Sequence, residues 1–279
     1  MQQQYRHDGV DLRRGLRLSL TALLTLFLLA LLLLAAARFQ QRGALADVLA
    51  EGADLTEATA RRADAADAFH ASMTLVAGVL GLGALALWTA WFRRVRLNAE
   101  ALAPGSHRFG SGWAVGAWFT PVVNLWFPKQ IADDIWRAGA PAGPQGPPRG
   151  LLNSWWVCGV LAGAVNAVTT VAYALAEART HRHGHLQEDV RRLRALAGAG
   201  AFGYLLCAVA GVLALLVIRQ LTGMQEQRAL ESLPYGSLPY EAQVYGPAPT
   251  LPPGPYGNPY NNPYAGPPGN PYGGGPPGY

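Results

Sequence analysis

Long apolar stretches alternate with shorter polar segments along this chain and dominate its hydrophobic pattern. Four uncharged stretches of about twenty residues cover positions 18–37, 73–92, 155–176 and 196–218. A helix rises about 1.5 Å per residue, so twenty helical residues span the roughly 30 Å hydrocarbon core of a bilayer. Soluble proteins rarely contain even one such stretch. The pattern therefore predicts an all-α integral membrane protein with four transmembrane helices.

The first apolar stretch follows three arginines, an arrangement that secretory signal peptides share. Its uncharged core of about twenty residues is longer than the roughly 7–15 residues of a signal-peptide core. We therefore interpret residues 18–37 as a retained transmembrane helix and residues 1–17 as a short N-terminal tail.

A fifth apolar stretch, the motif segment (residues 113–137), reads WAVGAWFTPVVNLWFPKQIADDIWR. Pro121 and Pro128 each remove a backbone donor and disfavour helix at the preceding residue. On a continuous helix Asn124 would share a face with both prolines, and that face would have to pack on protein or line a wet cavity. Residues 131–136 alternate as in a helix lying along the interface. We predict a proline-broken re-entrant or interfacial segment, with a kinked fifth span as the alternative.

Composition supports a membrane location and argues against nucleic-acid binding. Charged residues make up 14% of the chain, against about 25% in soluble domains. The arginines responsible for the net charge of +5 cluster beside the apolar stretches, where positive charge sets orientation and contacts anionic lipid. We therefore expect membrane lipid, and not nucleic acid, as a partner.

Several short motifs carry a resemblance to a known family. They are Trp91-Phe92-Arg93-Arg94, Asn98-Ala99-Glu100, Gly112-Trp113, Trp118-Phe119-x-Pro121-x-x-Asn124, Pro128-x-Gln130-Ile131, Asp134-Ile135-Trp136-Arg137 and Arg219-Gln220-Leu221-Thr222. Over roughly residues 18–222 the chain resembles a bacterial, actinobacterial-type family of multi-span membrane proteins that is known only as a domain of unknown function (4328). The resemblance implies a small multi-span domain, and it implies no activity, ligand or catalytic residue.

The motif supplies the candidate functional positions. These are Trp113, Trp118, Phe119, Pro121, Asn124, Pro128, Asp134, Trp136 and Arg137. Many members of the family carry a low-complexity segment before the membrane domain, whereas here that segment follows it.

Small residues recur at every fourth position in the last two apolar stretches. Gly159, Gly163 and Ala167 form one such face, and Gly203, Cys207 and Gly211 form another. Such faces let helix backbones approach closely in lipid. Asn166 is predicted to hydrogen-bond between helices, and the alternative is a residue of a substrate pathway. No acid, lysine or arginine lies deep within a stretch, which argues against ion-coupled transport.

Three alternate histidines form the one candidate metal cluster in the sequence. His181, His183 and His185 lie near Glu177 and Asp189, and imidazole suits zinc or copper. The competing interpretation, which we favour, is a solvated polar loop. No GxSxG, HExxH or glycine-rich phosphate-binding motif occurs in the sequence. We therefore expect no enzyme activity and no cofactor.

The C-terminal segment has a composition that cannot bury a core. Residues 232–279 contain 14 prolines and 8 tyrosines, with repeated Asn-Pro-Tyr and Pro-Pro-Gly units, the last of them Pro-Pro-Gly-Tyr. Such a composition is typical of disordered sequence with polyproline-II character. We place the membrane domain at residues 18–222 and a disordered Pro/Gly/Tyr-rich tail at 223–279. The tail either makes weak contacts with an unknown protein partner or is a passive solvated segment.

The sequence is compatible with two classes of function. One is a non-catalytic anchor or scaffold of the bacterial cell membrane, with a possible homo-oligomeric state. The alternative is a small transporter or channel built around residues 113–128. Four-span and five-span topologies each place 13 of the 22 Lys and Arg residues inside, so positive charge does not separate them. The prolines of the motif segment favour four spans, which predicts a multi-pass protein with both termini cytoplasmic.

Overall fold

The computed structural model describes residues 14–140, 148–180 and 186–231. Within these ranges the chain forms α-helices and short 3-10 helices, with no β-strand. The α-helices are α1 (Arg14–Glu51), α2 (Glu57–Leu102), α3 (Trp113–Phe119), α4 (Phe127–Ala138), α5 (Gly150–Thr180) and α6 (Leu186–Glu231). Single 3-10 turns cover Gly52–Asp54 and Val123–Leu125.

Four of the described helices, α1, α2, α5 and α6, are long and apolar enough to cross a membrane. Large aliphatic side chains on them point away from the bundle, as Leu29 (53% exposed), Leu82 (71%) and Val168 (67%) illustrate. Such surfaces suit hydrocarbon rather than water. The predicted all-α fold with four membrane-spanning helices is therefore confirmed, and the chain is a multi-pass membrane protein.

The first two long helices form a hairpin around a tight turn. Gly52 supplies a positive φ of 62° at the turn, which glycine adopts without the Cβ clash that other residues meet. Thr56 then caps α2, because its hydroxyl accepts a hydrogen bond from the Thr59 amide at 3.3 Å. The turn and cap bring α2 back along α1.

The bundle is organised around α6. Helix α6 packs along both α1 and α5, while α1 also packs along α2. Gly211 of α6 lies against Leu28 of α1, where an added Cβ would collide with the leucine side chain. Gly203 of α6 lies against Asn166 of α5, where an added Cβ would be 3.0 Å from the amide. The small-residue face of α6 therefore allows close packing, as its sequence predicts.

The corresponding expectation for α5 is wrong within a single chain. No neighbouring atom lies within 4 Å of a Cβ added at Gly159 or Gly163, and Ala167 is exposed. Helix α5 instead turns the side that carries Trp155 and Ala162 toward its neighbours. Four-residue spacing identifies a smooth helix face, but it does not identify which face meets a partner.

Asn166 forms the interhelical contact that its position predicts. Its Nδ2 donates to the Ala162 carbonyl at 2.8 Å within α5 and lies 3.2 Å from Cys207 Sγ on α6. Cys158 and Cys207 are both free thiols. The cysteines therefore act here as small packing residues rather than as a disulfide.

Helix α6 continues beyond the sequence-predicted end of the membrane domain. Residues 223–231, expected to belong to the disordered tail, form its last turns. Met224 and Gln225 are 3% and 1% exposed, so packing holds this polar stretch helical although its composition gives no apolar signal. Residues 232–279 and 1–13 lie outside the described residues, so the predicted disorder of the tail stays a prediction.

Candidate functional site

The motif segment is broken into three short pieces at the positions where its prolines stand. Helix α3 ends at Phe119, and the Val123 amide then donates to the Pro121 carbonyl at 2.7 Å. Val122, between them, has φ 67° and ψ −53°, the geometry of a γ-turn that is rare and strained for a β-branched residue. Pro128 lies in the first turn of α4, where its missing N–H costs no helical hydrogen bond.

Trp118 anchors the first part of the motif segment in a cluster of aromatic rings. Its ring centroid lies 5.7 Å from Trp88 and 5.5 Å from Phe92, both on α2. On α5, Trp155 and Trp156 lie at 6.4 Å and 6.3 Å. These partners stand where the second apolar stretch ends and the third begins. The motif segment therefore lies at the level of a membrane boundary, where aromatic side chains are favoured.

Helix α4 packs its apolar face on protein. Ile131, Ile135 and Trp136 are 1%, 0% and 2% exposed, and α4 contacts α2 and α5. On its other side Lys129 Nζ lies 2.6 Å from Asp133 Oδ1. The apolar face of α4 therefore packs on the helix bundle rather than on lipid. The alternation of apolar and polar residues predicts that such a face exists, but it does not predict what covers the face.

Asp134 is the polar centre of this docked element. The residue is 3% exposed and accepts from the Arg108 amide at 3.2 Å and from Arg108 Nε at 3.1 Å. Arg137 Nη2 also donates to Asp134 Oδ1. Burial alone would raise the pKa of Asp134, but the hydrogen bonds and charges of the two arginines outweigh burial and hold that pKa below its usual range.

Arg108 also secures the backbone of α4, because its Nη2 donates to the Gln130 carbonyl at 3.0 Å. Arg108 and Arg137 are about half exposed, at 47% and 51% of their side chains. We refer to Arg108, Asp134 and Arg137 together as the Asp134 clamp. The clamp joins the loop after α2 to α4 through one buried carboxylate.

A second set of polar contacts orders the loop between α2 and α3. Arg96, only 4% exposed, donates to Glu100 Oε2 and to the Phe109 carbonyl, each at 2.8 Å. Glu100 in turn accepts from the Gly105 amide at 3.0 Å. The loop that leads into the motif segment is therefore held against the end of α2.

His107 belongs to this loop, and its side chain is buried. Its side chain is 1% exposed, and its Nδ1 lies 3.0 Å from Ser106 Oγ. Burial and the charge of Arg96 lower the pKa of His107, against the opposing influence of Glu100 and Asp134. The imidazole is therefore held in its neutral form near neutral pH.

The end of α6 joins the same site through buried amides. Asn98 Nδ2 donates to Gln225 Oε1 at 3.3 Å, and Gln225 Nε2 donates to the Val95 carbonyl at 2.8 Å. Both side chains are nearly inaccessible, at 3% and 1%. Next to Gln225, Glu226 Oε1 of α6 lies 2.8 Å from Arg17 Nη1 of α1. The first turns of α1 and the last turns of α6 therefore meet at the end of the bundle that carries the motif segment, which we call the motif end.

The candidate positions divide into a docked group and an exposed group. Trp118, Pro128, Asp134 and Trp136 are packed into the bundle end, and Arg137 reaches Asp134 from the surface. The exposed group is formed by Trp113, Phe119, Pro121 and Asn124.

Pro121, Asn124 and Pro128 do not share a face, since Pro121 and Asn124 are exposed and Pro128 is buried. The breaks after α3 and before α4 remove the continuous helix on which such a face depends. Arg108, His107 and Gln225 belong to the site but were not predicted. Arg108 has no signal of its own in the sequence, because its partner is 26 residues away.

The predicted metal positions His181, His183 and His185 lie outside the described residues. Among the residues that are described, no group of three or more His, Cys, Asp or Glu side chains has a geometry that suits a metal ion.

The opposite end of the bundle carries its own buried polar cluster. Arg38 is 7% exposed, donates to Gln41 Oε1 at 3.0 Å and lies 4.3 Å from the centroid of the Tyr173 ring. Gln41 Nε2 in turn donates a hydrogen bond to Asp67 Oδ1 at 2.6 Å. The Arg38 guanidinium, just beyond the first apolar stretch, is thus stabilised by a hydrogen bond and by the face of the Tyr173 ring.

Residues 54–223 match the family described as "Domain of unknown function (DUF4328)". The match covers α2 to α5 and α6 as far as residue 223, and it includes the whole motif segment and all three residues of the Asp134 clamp. No curated protein and no solved structure is significantly similar to the chain.

Proposed function

Because the chain belongs to the DUF4328 family, whose function is unknown, we propose a function from the geometry of its motif segment. The protein is a non-catalytic anchor or scaffold of the bacterial inner membrane. Its Pro/Tyr-rich tail makes weak contacts with a protein partner or with the tail of a second copy.

One observation carries this proposal: the motif segment packs as a cap on one end of the bundle. Trp118 and Trp136 fill the space between the helix ends, and the Asp134 clamp secures the loop that precedes them. A cap held by packed aromatic rings and by ion pairs to a buried carboxylate is suited to rigidity. A scaffold that presents its tail to a partner requires such a rigid base.

The position of the cap argues for a scaffold rather than a transporter. A pathway residue should face the interior of the bundle, yet Asn124 is exposed, in the 3-10 turn between α3 and α4. The middle of the bundle is filled by small and aliphatic side chains, among them Ala30, Leu31, Leu34 and Ala77. Irregular backbone that covers a helix end does not need to line a solute pathway.

The last turns of α6 lie at the capped end of the bundle. Helix α6 ends at Glu231, a short distance along the helix from Gln225, which is hydrogen-bonded to Asn98 and to the Val95 carbonyl. The residues after Glu231 therefore continue from a helix that is fixed to the cap. We assign this end to the cytoplasmic face, because the last turns of α2 carry the basic run Arg93-Arg94-Val95-Arg96.

The proposal is tested by replacing four tail tyrosines, Tyr256, Tyr260, Tyr264 and Tyr272, with serine in the full-length chain. Chemical crosslinking in native membranes, read by mass spectrometry, identifies the proteins in contact with the tail. We expect these crosslinks, including those between copies, to fall by at least about tenfold, since aromatic side chains carry most of the contact energy of such segments.

A matched variant replaces Asn258, Asn261, Asn262 and Asn270 with serine and alters the same repeats without removing an aromatic ring. It should retain the crosslinks of the unaltered protein. Equal crosslinking in the two variants would reject the adhesive tail, and solute movement in liposomes of the purified protein would instead favour transport.

A further inference from the structure

An exposed apolar surface lies on the turn between α3 and α4. Phe119 is 59% exposed, Val122 65% and Leu125 51%, and the next residue, Trp126, is 42% exposed. We call these four residues the apolar tip. Bulky apolar side chains grouped so closely on a surface mark a contact with lipid or with another protein.

The sequence around the apolar tip carries no charge. Residues 109–128 contain no Asp, Glu, Lys, Arg or His, and Arg108 and Lys129 border this run. Surfaces that face bulk water are ordinarily rich in charged side chains. The composition of the run therefore favours surroundings that are less polar than water.

The two ends of the uncharged run meet in the fold. The ring centroids of Phe109 and Phe127 are 4.5 Å apart, and the Trp113 ring lies 5.3 Å from Phe127. The chain therefore leaves the polar loop after α2 and returns to the same place at the start of α4. The apolar tip belongs to the closed loop that is formed in this way.

Trp118 fixes the depth of this loop in the membrane. Its ring lies 5.7 Å from Trp88, which precedes the end of the second apolar stretch, Phe92, by four residues. Four helical residues rise about 6 Å, so the end of α3 lies just inside the apolar boundary of the bundle. Phe119 follows Trp118 directly and faces outward, where a side chain at that depth meets lipid rather than water. The apolar tip therefore continues the lipid-facing surface of the long helices.

Hydrogen bonds within the turn prepare its backbone for such surroundings. The Thr120 amide donates to the Gly116 carbonyl at 3.1 Å, the Asn124 amide to the Thr120 carbonyl at 3.0 Å, and the Leu125 amide to the Val122 carbonyl at 3.1 Å. Irregular backbone does not face lipid within the hydrocarbon core, because groups left unpaired there cost several kcal/mol each. The turn is therefore suited to the interfacial layer and not to the bilayer centre.

We propose that the apolar tip inserts into the membrane leaflet at the motif end and binds its phospholipids. Phe119, Val122 and Leu125 contact the upper acyl chains, and Trp126 lies at the level of the headgroups, where its ring is favoured. Amphipathic helices that lie on membranes bind by a similarly shallow insertion of apolar side chains. The contact fastens the cap to the bilayer, and it does not depend on whether the tail binds a partner.

The test measures what surrounds Leu125 in the full-length protein, reconstituted in liposomes of phosphatidylethanolamine and phosphatidylglycerol. A nitroxide label is attached to Leu125→Cys in a background without Cys158 and Cys207. Electron paramagnetic resonance then compares the collision rates of the label with oxygen, which enters lipid, and with a polar nickel complex, which remains in water. The water-facing control is Ala101→Cys, an exposed position in the last turn of α2 at the same end. The lipid-facing control is Leu82→Cys, at a side chain that is 71% exposed within the second apolar stretch.

We expect the oxygen-to-nickel ratio at Leu125→Cys to exceed that at Ala101→Cys at least about fivefold, since a polar complex is excluded from apolar surroundings. The ratio should approach that at Leu82→Cys. A ratio equal to that at Ala101→Cys would show that the tip faces water and would overturn the proposal. Low collision rates with both reagents would also overturn it, because they would show that protein covers the tip. Phe119→Cys, at the other side of the turn, should give the same result and replaces Leu125→Cys if that variant fails to fold.

Discussion

Arg17 at the start of α1 and Glu226 near the end of α6 form an ion pair, although 209 residues separate them in the chain. The pair brings the first and last spans together at the end of the bundle that carries the motif segment. Their side chains are 30% and 36% exposed, so the contact contributes modestly to stability. The contact matters more for the geometry of the bundle, because it holds the start of α1 and the end of α6 on the same side.

The first prediction concerns topology. Four spans with α1 beginning and α6 ending at one side place both termini in the same compartment, which we propose is the cytoplasm. A single cysteine, Ser237→Cys, in a background without Cys158 and Cys207 should react with a membrane-impermeant thiol reagent only after the cells are permeabilised. Ready labelling of intact cells would put the tail outside.

The second prediction concerns the Asp134 clamp. Asp134→Asn removes the negative charge from a buried group and leaves Arg108 and Arg137 without their carboxylate. We expect a loss of about 2 kcal/mol of unfolding free energy, since hydrogen bonds to charged groups contribute roughly 1.5–3 kcal/mol. Thermal unfolding in detergent measures the loss. Glu57→Gln is the control, because Glu57 is 83% exposed and should change stability by less than about 0.5 kcal/mol.

The third prediction concerns pH. His107 faces Arg96, Glu100 and Asp134, and its folded-state pKa is lowered from 6.5. A lowered folded pKa means that the unfolded chain binds the proton more readily. The contribution of His107 is therefore complete above pH 6.5 and is lost as the pH falls through the lower folded value. The melting temperature should decline between pH 7 and pH 5 more steeply in the unaltered protein than in His107→Gln. Parallel pH profiles would contradict this assignment.

The fourth prediction concerns the γ-turn. Val122 is 65% exposed and adopts a positive φ. Its side chain therefore makes few packing contacts that could offset the strain of its backbone. Val122→Gly should raise the unfolding free energy by about 1 kcal/mol, after allowance for the greater freedom of glycine in the unfolded chain. Val123→Gly, one residue later in ordinary 3-10 geometry, should lower it. A fall in melting temperature for both variants would argue against the strained turn.

The fifth prediction compares two glycines on facing helices. Gly203→Val should destabilise the bundle by about 1–3 kcal/mol, because the new side chain would overlap the Asn166 amide. Gly163→Val adds the same atoms to α5, where no neighbouring atom lies within 4 Å of the Cβ position. It should leave the melting temperature of the monomer nearly unchanged. Equal effects would show that the α5 face is also packed.

The sequence predicts those features that depend on local pattern. Four apolar stretches of bilayer length specify four long helices, and Pro121 and Pro128 stand where the motif segment breaks. These predictions succeed because hydrophobic length and the missing proline N–H act within a few residues.

Features that depend on distant contacts could not be predicted in this way. Asp134 meets Arg108, and Asn98 meets Gln225 127 residues later, but no periodicity links either pair. The exposure of Asn124 is not predictable for a related reason, since the face that it would share with the two prolines exists only on a continuous helix. Four-residue spacing likewise indicated a close-packing face on both α5 and α6, although only the face on α6 meets a neighbour.

The central position of α6 has a consequence for how the protein is made. Ribosomes release the chain from its N-terminus, so the α1–α2 hairpin and α5 enter the membrane before α6 does. Helix α5 packs mainly along α6, and α6 is also the helix that packs along α1. The two earlier parts therefore have few contacts with each other until the last helix is inserted. We expect biogenesis to depend on that final insertion, with nascent chains that stop before α6 remaining open to quality-control proteases.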